Sequence, residues 1–264
     1  MLTVISPAKK LNETPQALPD GHQMTDPEFA SQALTLAKLA RKLSVDELRA
    51  LSHVSETIAR LNQARFRAFS ATPAPGMVCP AVQCFAGDTY QGLDARSLSA
   101  PSLAWASDHL RILSGLYGLL RPFDAIQAYR LEMGSKLANP KGPDLYSFWG
   151  NRIARALNDL ASRQQAKALV NCASVEYFGA VDRATLRLPV LTPVFLEDRD
   201  GESRIVSFWA KRARGAMARY ICEHQLTNPA DLRGFTLGGY EHRADLSGDD
   251  RIVFSRAEPS QKAA

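Results

Sequence analysis

The stretch LRILSGLYGLLRPFDAIQAYR, residues 110–130, decides the fold prediction for this chain. It begins with the apolar residues Ile112 and Leu113, which are typical of a buried strand. Small and polar residues follow from Ser114, and Pro122 ends the run because proline provides no amide donor. A strand that passes into Ser, Gly, Tyr and Arg side chains predicts the edge of a functional site. The alternative is a structural turn whose glycines only permit close packing.

Two other apolar strands end in the same way. Residues 2–5 lead into Ser6 and Lys9, and residues 168–170 lead into a run from Asn171 to Ser174, followed by Glu176. Three such endings indicate parallel strands that open onto a shared cleft, because ligands collect at the carboxyl ends of strands in open α/β sheets. We therefore predict an α/β fold, with a mixed α+β arrangement as the alternative. Residues 1–256 are expected to form one compact domain, with a mostly parallel central sheet flanked by helices and a flexible tail at 257–264.

Two helical regions carry the positive charge. Ser44 and Glu47 have the spacing of a capping box, and Ser55 is a second cap, so residues 44–69 predict a basic helical hairpin. Residues 207–226 predict the longest helix, and between positions 208 and 222 it holds four cations and no acid. Such cations can contact phosphates, although a solvated basic face is the alternative for both regions. The predicted nucleic-acid contacts are Arg60, Arg65, Arg67, Arg121, Lys211, Arg212, Arg214 and Arg219.

The composition excludes some classes of protein. The chain has 264 residues, of which 45% are hydrophobic and 22% charged, values that are ordinary for a globular domain. No apolar run approaches the ~20 residues that a membrane helix needs. The N-terminal sequence MLTVISPAKK lacks the pattern of a signal peptide, so we expect a cytoplasmic protein, and a monomer. The net charge of +5 is compatible with a nucleic-acid partner.

The four cysteines, Cys79, Cys84, Cys172 and Cys222, form no CxxC pair and no zinc pattern. In a cytoplasmic protein we expect them to be reduced thiols. The sequence also lacks a haem-ligand pattern and a ferritin-like Glu-x-x-His pair, so neither a metal nor a cofactor is predicted. The run from Ala81 to Phe85, which contains Cys84, predicts a short strand.

The residues at the strand ends suggest a catalytic set. Lys9 would act as nucleophile or base and Glu176 as general acid or base, while Arg121 and Arg130 would hold an anion. The predicted catalytic residues are Lys9, Ser114, Tyr129, Arg130 and Glu176. A solvated loop lysine is the alternative for Lys9.

Five separated motifs, in this order, resemble the YaaA family of bacterial proteins linked to resistance to peroxide stress. The motifs are ISPAKK from Ile5, LSGLYGLLRP from Leu113 with a following YR, LVNCASVEYF from Leu169, KRARGAMARY from Lys211, and GGY from Gly238. The resemblance runs from residue 2 to about residue 256. It implies a cytosolic protein that limits oxidative damage, with iron control and DNA binding as the proposed routes.

The resemblance also implies a DNA-binding element of the helix-hairpin-helix type. Its expected place is residues 44–69, with the G-x-x-G of residues 115–118 as a second candidate. The main hypothesis is a stress protein that binds DNA, double-stranded or locally melted, through a basic cleft. The alternative is an enzyme that acts on a nucleotide, nucleoside or damaged nucleic acid at a cleft formed by Lys9, Ser114 and Glu176. An iron-sequestering protein is a third hypothesis, for which only the acidic turn at residues 197–200 is available.

Overall fold

The computed structural model describes residues 1–12, 18, 21–74 and 76–257. Its strands are β1 (Leu2–Ile5), β2 (Lys10–Leu11), β3 (Cys79–Pro80), β4 (Phe85–Ala86), β5 (Leu110–Ser114), β6 (Gly118–Leu120), β7 (Ala125–Ile126), β8 (Leu169–Cys172), β9 (Val190–Arg199), β10 (Glu202–Arg204), β11 (Glu241–His242) and β12 (Arg251–Ala257).

The α-helices are α1 (Ala30–Ala40), α2 (Val45–Ser52), α3 (Glu56–Ala68), α4 (Ala81–Cys84), α5 (Asp88–Leu93), α6 (Ala100–His109), α7 (Leu145–Trp149), α8 (Arg152–Arg163), α9 (Val175–Phe178) and α10 (Ser207–Glu223). Short 3₁₀ helices cover Ala95–Ser97, Pro229–Gly234 and Leu237–Gly239. No helix in the described ranges combines the length and the apolar character that crossing a bilayer requires.

The central sheet has eight strands in the order β11-β12-β9-β8-β1-β5-β6, with β10 paired to β9. The pairs β1–β5, β1–β8, β8–β9 and β9–β12 are parallel, whereas the strands added at the edges are antiparallel. The prediction of an α/β fold with a mostly parallel sheet is confirmed. Counted along the chain, the five parallel strands have the order 2-1-3-4-5, so the direction of winding reverses between β1 and β8. Open sheets of this kind bind ligands at that switch point.

All four residues of β1 are buried, because this central strand is covered on both faces. Helix α10 packs against β1, β8 and β9 and lies in close contact with α5. Two glycines permit that contact. A Cβ atom on Gly215 would lie 1.8 Å from the carbonyl oxygen of Thr89, and one on Gly92 would lie 2.0 Å from that of Arg212. The α5–α10 contact therefore requires glycine at both positions.

The predicted helical hairpin is present as α2 and α3. Ser44 accepts a hydrogen bond from the Glu47 amide, and the Glu47 carboxylate accepts one from the Ser44 amide, as in a capping box. His53 ends α2 in the left-handed conformation, and Ser55 caps α3. The side chain of Asn62 in α3 exchanges two hydrogen bonds, of 2.7 and 2.9 Å, with the backbone of Arg130. The hairpin is thereby fixed to the end of the 110–130 stretch.

Within that stretch, β5 and β6 form an antiparallel hairpin at the edge of the sheet. Gly118 has a φ of +69°, and a Cβ atom there would lie 2.6 Å from the ring of Trp149, so this glycine is required by its turn. The strand predicted over residues 81–85 is wrong, because residues 81–84 form the helical turn α4. Ala257 ends β12, and the rest of the predicted tail, residues 258–264, lies outside the described residues.

Candidate functional site

The carboxyl ends of β1 and β8 are joined at the switch point by two serines. The Ser174 amide donates a hydrogen bond of 2.8 Å to Ser6 Oγ, and the Ser6 hydroxyl lies 3.4 Å from Ser174 Oγ. The hydroxyl of Tyr90, in α5, donates a hydrogen bond of 3.2 Å to the carbonyl oxygen of Ser6. Two of the three serine-bearing strand ends predicted to share a cleft are thus in direct contact.

A narrow crevice opens beside these serines. We call it the Glu132 crevice; its lining residues are Pro7, Ala8, Lys9, Tyr129, Arg130, Leu131, Glu132 and Tyr177, and its volume is about 10 Å³. Glu132 Oε1 accepts a hydrogen bond of 3.0 Å from Arg130 Nε and lies 3.9 Å from Lys9 Nζ. Glu132 Oε2 is buried and has no hydrogen-bond partner within the described part of the chain. A buried carboxylate oxygen without a donor is costly, so it is a candidate to accept a hydrogen bond from a ligand.

The structure brings the predicted residues Lys9 and Arg130 together around Glu132, which sequence reasoning missed. The signal available in the sequence was that Glu132 follows Arg130, the last residue of the Tyr-Arg motif, by two positions. The contact between Lys9 and Glu132 depends on the sheet topology, which the local sequence does not encode.

Ser114 and Tyr129 form a hydrogen-bonded pair beneath the crevice. Ser114 is fully buried; its Oγ lies 2.6 Å from the Tyr129 hydroxyl and accepts a hydrogen bond of 2.8 Å from the Tyr117 amide. Burial raises the pKa of the Tyr129 hydroxyl above its ordinary value. Ser114 therefore orients Tyr129, which lines the crevice, and the catalytic role predicted for each stays a prediction.

Glu176 lies at the edge of the same region. Its Oε1 accepts a hydrogen bond of 2.9 Å from the Gly134 amide, and its carbonyl oxygen accepts one of 2.9 Å from the Tyr146 hydroxyl. The next residue, Tyr177, lines the Glu132 crevice, and burial raises the pKa of its hydroxyl. Glu176 thus holds the loop that follows Glu132, and its predicted role as general acid or base stays a prediction.

A larger cavity of about 460 Å³, which we call the α10 cavity, lies between α5, α10 and the end of β12. Its lining includes three arginines, Arg212, Arg219 and Arg256, and the aromatic residues Trp209 and Tyr240. Gln91 and Gly92 of α5, together with Asp94 directly after the helix, form the opposite wall. Because Tyr90 of the same helix contacts Ser6, α5 separates the α10 cavity from the switch point.

Arg256 is held between two aromatic rings in this cavity. Its guanidinium carbon lies 4.8 Å from the ring centroid of Trp209 and 4.4 Å from that of Tyr240. Its Nε donates a hydrogen bond of 2.8 Å to the buried carboxylate of Glu197, which also accepts one from the Tyr240 hydroxyl. Burial raises the pKa of Tyr240, so it donates as a neutral phenol. The carboxylate of Glu197, which belongs to the acidic turn of the iron-sequestration hypothesis, therefore already accepts hydrogen bonds from Arg256 and Tyr240.

Comparison with known proteins assigns the chain to a family. The family model described as peroxide stress protein YaaA matches residues 1–246. The chain belongs to the YaaA family. It is 57% identical over 258 residues to a UPF0246 protein of Cereibacter sphaeroides, which covers 97% of this chain and 100% of the relative. It is 53% identical over 256 residues to a UPF0246 protein of Ruegeria pomeroyi, with 97% of this chain and 98% of the relative covered. A UPF0246 protein of Jannaschia sp. is 53% identical over 264 residues, with both chains fully covered at 100%.

In this YaaA-family chain the cations of α10 have different surroundings. Lys211 and Arg212 are exposed and form no salt bridge with any described residue. Arg214 is partly buried near Cys172, and burial lowers the pKa of its guanidinium. Arg219 donates a hydrogen bond of 2.7 Å to Ser97 and lies 2.7 Å from the carboxylate of Glu223. The first half of α10 therefore presents unpaired positive charge to solvent, whereas Arg219 forms structural contacts with Ser97 and Glu223.

The remaining predicted contacts lie elsewhere on the YaaA-family fold. On α3, Arg60 forms a salt bridge of 2.6 Å with Glu56, Arg67 is exposed, and Arg65 lines a separate cavity. Arg121 Nε lies 2.9 Å from Asp124 Oδ1, in the turn after β6, at the opposite end of the β5–β6 hairpin from Ser114. No group of three or more histidine, cysteine or carboxylate side chains with metal-binding geometry occurs within the described ranges.

Proposed function

We propose that this YaaA-family protein limits peroxide damage by binding DNA, and that the first half of α10 and the α10 cavity form the contact surface. The observation that carries the proposal is the α10 cavity itself. It combines arginine and aromatic side chains in a space of about 460 Å³ beside two exposed cations. Grooves that bind single-stranded nucleic acid combine these same two features, cations for the phosphates and aromatic rings for the bases.

The charge distribution supports a phosphate contact at Lys211 and Arg212. Both are exposed near the start of α10, and neither is neutralised by a described acidic side chain. By contrast, Arg219 and Arg256 are paired with Glu223 and Glu197. Unpaired cations release counterions from DNA when they bind phosphates, which provides the sequence-independent part of the binding free energy.

The aromatic residues support a contact with unpaired bases. Trp209 lines the cavity and is partly exposed, and Phe208, in the preceding position of α10, is 41% exposed, whereas Tyr240 is buried against Arg256. Leu237 is also 41% exposed and lines the same cavity. Exposed aromatic side chains beside cations favour stacking with bases, worth about 1–3 kcal/mol per base, whereas an aliphatic side chain such as Leu237 adds only apolar contact. We therefore infer a preference for single-stranded or locally melted DNA over intact duplex.

The test is fluorescence anisotropy with labelled single-stranded and duplex oligonucleotides over a series of salt concentrations. In the variant Lys211→Glu/Arg212→Glu, affinity should fall at least tenfold at low salt, and the slope of log K against log salt should decrease by about 0.7 for each lost contact to a single strand. The matched control is Arg163→Glu/Lys167→Glu, which reverses two exposed charges before the amino end of β8. Equal losses in the two variants would show that only net charge matters and would overturn the proposal.

A second candidate function is an enzyme at the Glu132 crevice, because of the unpartnered Glu132 Oε2. Carboxylate oxygens accept hydrogen bonds from exocyclic amino groups of bases. In this candidate, Arg130 would hold a phosphate and Lys9 would be the base or nucleophile, as the sequence predicted. The substrate would be a nucleotide, nucleoside or damaged base. Calorimetric titration with cytidine and adenosine, against uridine as the base without an amino group, tests it. Equal or absent heats for all three would contradict this candidate.

A further inference from the structure

Two of the four cysteines lie together in space. Cys79 is the first residue of β3, two positions before α4, and Cys84 is the last residue of that helix. Pro80 is the N-cap of α4, so Cys79 stands just before the cap and Cys84 is the fourth residue of the helix, two positions whose side chains commonly pack together. A disulfide at these positions requires Cα atoms within about 7 Å and a side-chain rotation that brings the sulfur atoms to ~2 Å.

Both thiols line a cavity of about 210 Å³ between α3, α4 and β7. Although the two residues are only 5% and 2% exposed, this cavity gives a small oxidant a route to their sulfur atoms. Cys79 Sγ also lies 3.8 Å from the carbonyl oxygen of Asn12 and 3.5 Å from that of Pro80, which fixes its position. Cys172 and Cys222 are buried and line none of the cavities described above.

The pKa shifts of Cys79, Cys172 and Cys222 also favour reaction at Cys79. The neighbouring Cys84 side chain lowers the pKa of Cys79 below its ordinary value, which favours the thiolate. Burial raises the pKa of Cys172 to about 12, and burial also raises the pKa of Cys222. Thiolates, and not thiols, are the nucleophiles that react with oxidants, so Cys79 is better placed to react than Cys172 or Cys222.

We propose that Cys79 and Cys84 form an intramolecular redox pair that hydrogen peroxide converts to a disulfide. The Cys79 thiolate attacks one peroxide oxygen, the O–O bond breaks, and the hydroxide that leaves takes a proton to give water and a Cys79 sulfenic acid. Cys84 sulfur then attacks Cys79 sulfur, the S–O bond breaks, and a second water leaves. In sum, two thiols are oxidised by two electrons and one peroxide is reduced to two waters. The proposal is independent of DNA binding.

The test uses the full reduced chain, treated with equimolar and then tenfold hydrogen peroxide, alkylated under denaturing conditions and digested with trypsin. Cys79 and Cys84 fall in one tryptic peptide, residues 68–96, because Arg67 and Arg96 are its flanking cleavage sites. We expect this peptide to lose both alkylation sites and the mass of two hydrogen atoms, while Cys172 and Cys222 remain fully alkylated. Oxidation of Met77 in the same peptide adds an oxygen atom instead and is distinguished by mass.

Two variants assign the order of the steps. In Cys84→Ser, Cys79 should stop at the sulfenic acid, which dimedone traps; in Cys79→Ser, Cys84 should stay largely unmodified at equimolar peroxide. The proposal is overturned if the 68–96 peptide of the wild-type chain keeps both alkylation sites, or if oxidation is spread evenly over all four cysteines. The wild-type result decides this by itself, so a variant that fails to fold leaves the test intact.

Discussion

At the scale of single residues, the surroundings of Glu132 predict a measurable effect on stability. Its carboxylate is the acceptor for Arg130, whose side chain is only 20% exposed. In Glu132→Ala, Arg130 would keep a partly buried charge without this acceptor. We expect the free energy of unfolding to fall by about 1–3 kcal/mol, measured by urea denaturation.

The matched control for this prediction is Lys9→Ala. Lys9 contacts the same oxygen of Glu132, but at 3.9 Å and with a side chain that is 68% exposed. Exposed ion pairs contribute less than about 1 kcal/mol, so this variant should unfold almost as the wild type does. If Lys9→Ala lowered the free energy of unfolding as much as Glu132→Ala does, Lys9 would contribute as much as Arg130. The Arg130 hydrogen bond would then not be the main stabilising contact of Glu132.

Residue-scale predictions from the sequence identified the polar side chains but missed their partners. Lys9, Tyr129 and Arg130 could be selected because they follow apolar strands or a proline, which is local information. Glu132 and the pairing of Ser6 with Ser174 arise from contacts between strands that are distant in the chain. Ser114 shows the opposite case: its position after a strand suggested a cleft, but its burial beneath Tyr129 depends on tertiary packing.

At the scale of secondary-structure elements, the contact between α5 and α10 determines the shape of the α10 cavity. A Cβ atom on Gly215 would lie 1.8 Å from a backbone oxygen, which cannot move away as a side chain could. Gly215→Ala should therefore push the two helices apart. We expect a loss of about 1–3 kcal/mol in the free energy of unfolding, together with weaker DNA binding. The measurements are urea denaturation and the anisotropy titration.

Gly248→Ala is the control for that prediction, because a Cβ atom at Gly248 would meet no heavy atom within 4 Å. We expect its stability to change by less than about 0.5 kcal/mol, as for most surface substitutions. A Gly215→Ala protein of unchanged stability would mean that α5 can shift without cost, and that the cavity is not fixed by this contact.

Predictions of secondary-structure elements were correct where the signal lay within the element's own sequence. The capping box at Ser44 and the cap at Ser55 correctly marked the starts of α2 and α3, and the longest helix, predicted over residues 207–226, is α10. Residues 81–85 predict a strand, but so short an apolar segment fits the periodicity of a helix as well as that of a strand. Its helical turn is stabilised by contacts outside the segment, including hydrogen bonds from Ala81 and Val82 to the residue 122–124 backbone.

At the scale of the whole molecule, a series of contacts connects the helical hairpin to α10 across the carboxyl edge of the sheet. Asn62 of α3 is bonded to the Arg130 backbone, and Arg130 contacts Glu132 in the crevice that begins beside Ser6. Ser6 in turn accepts a hydrogen bond from Tyr90 of α5, the helix that packs on α10. The sequence predicted each basic region separately, and only the sheet order makes it reasonable to ask whether one DNA molecule contacts both.

Neutralising two arginines of α3 one at a time answers that question. Arg67 is exposed, whereas Arg60 is already paired with Glu56 at 2.6 Å. If duplex DNA lies across both α3 and α10, Arg67→Gln should reduce the slope of log K against log salt by about 0.9, because one phosphate contact is lost. Arg60→Gln should leave the slope nearly unchanged, since its charge is already compensated. An unchanged slope in both variants, with Lys211→Glu/Arg212→Glu still defective, would restrict the DNA contact to α10 and its cavity.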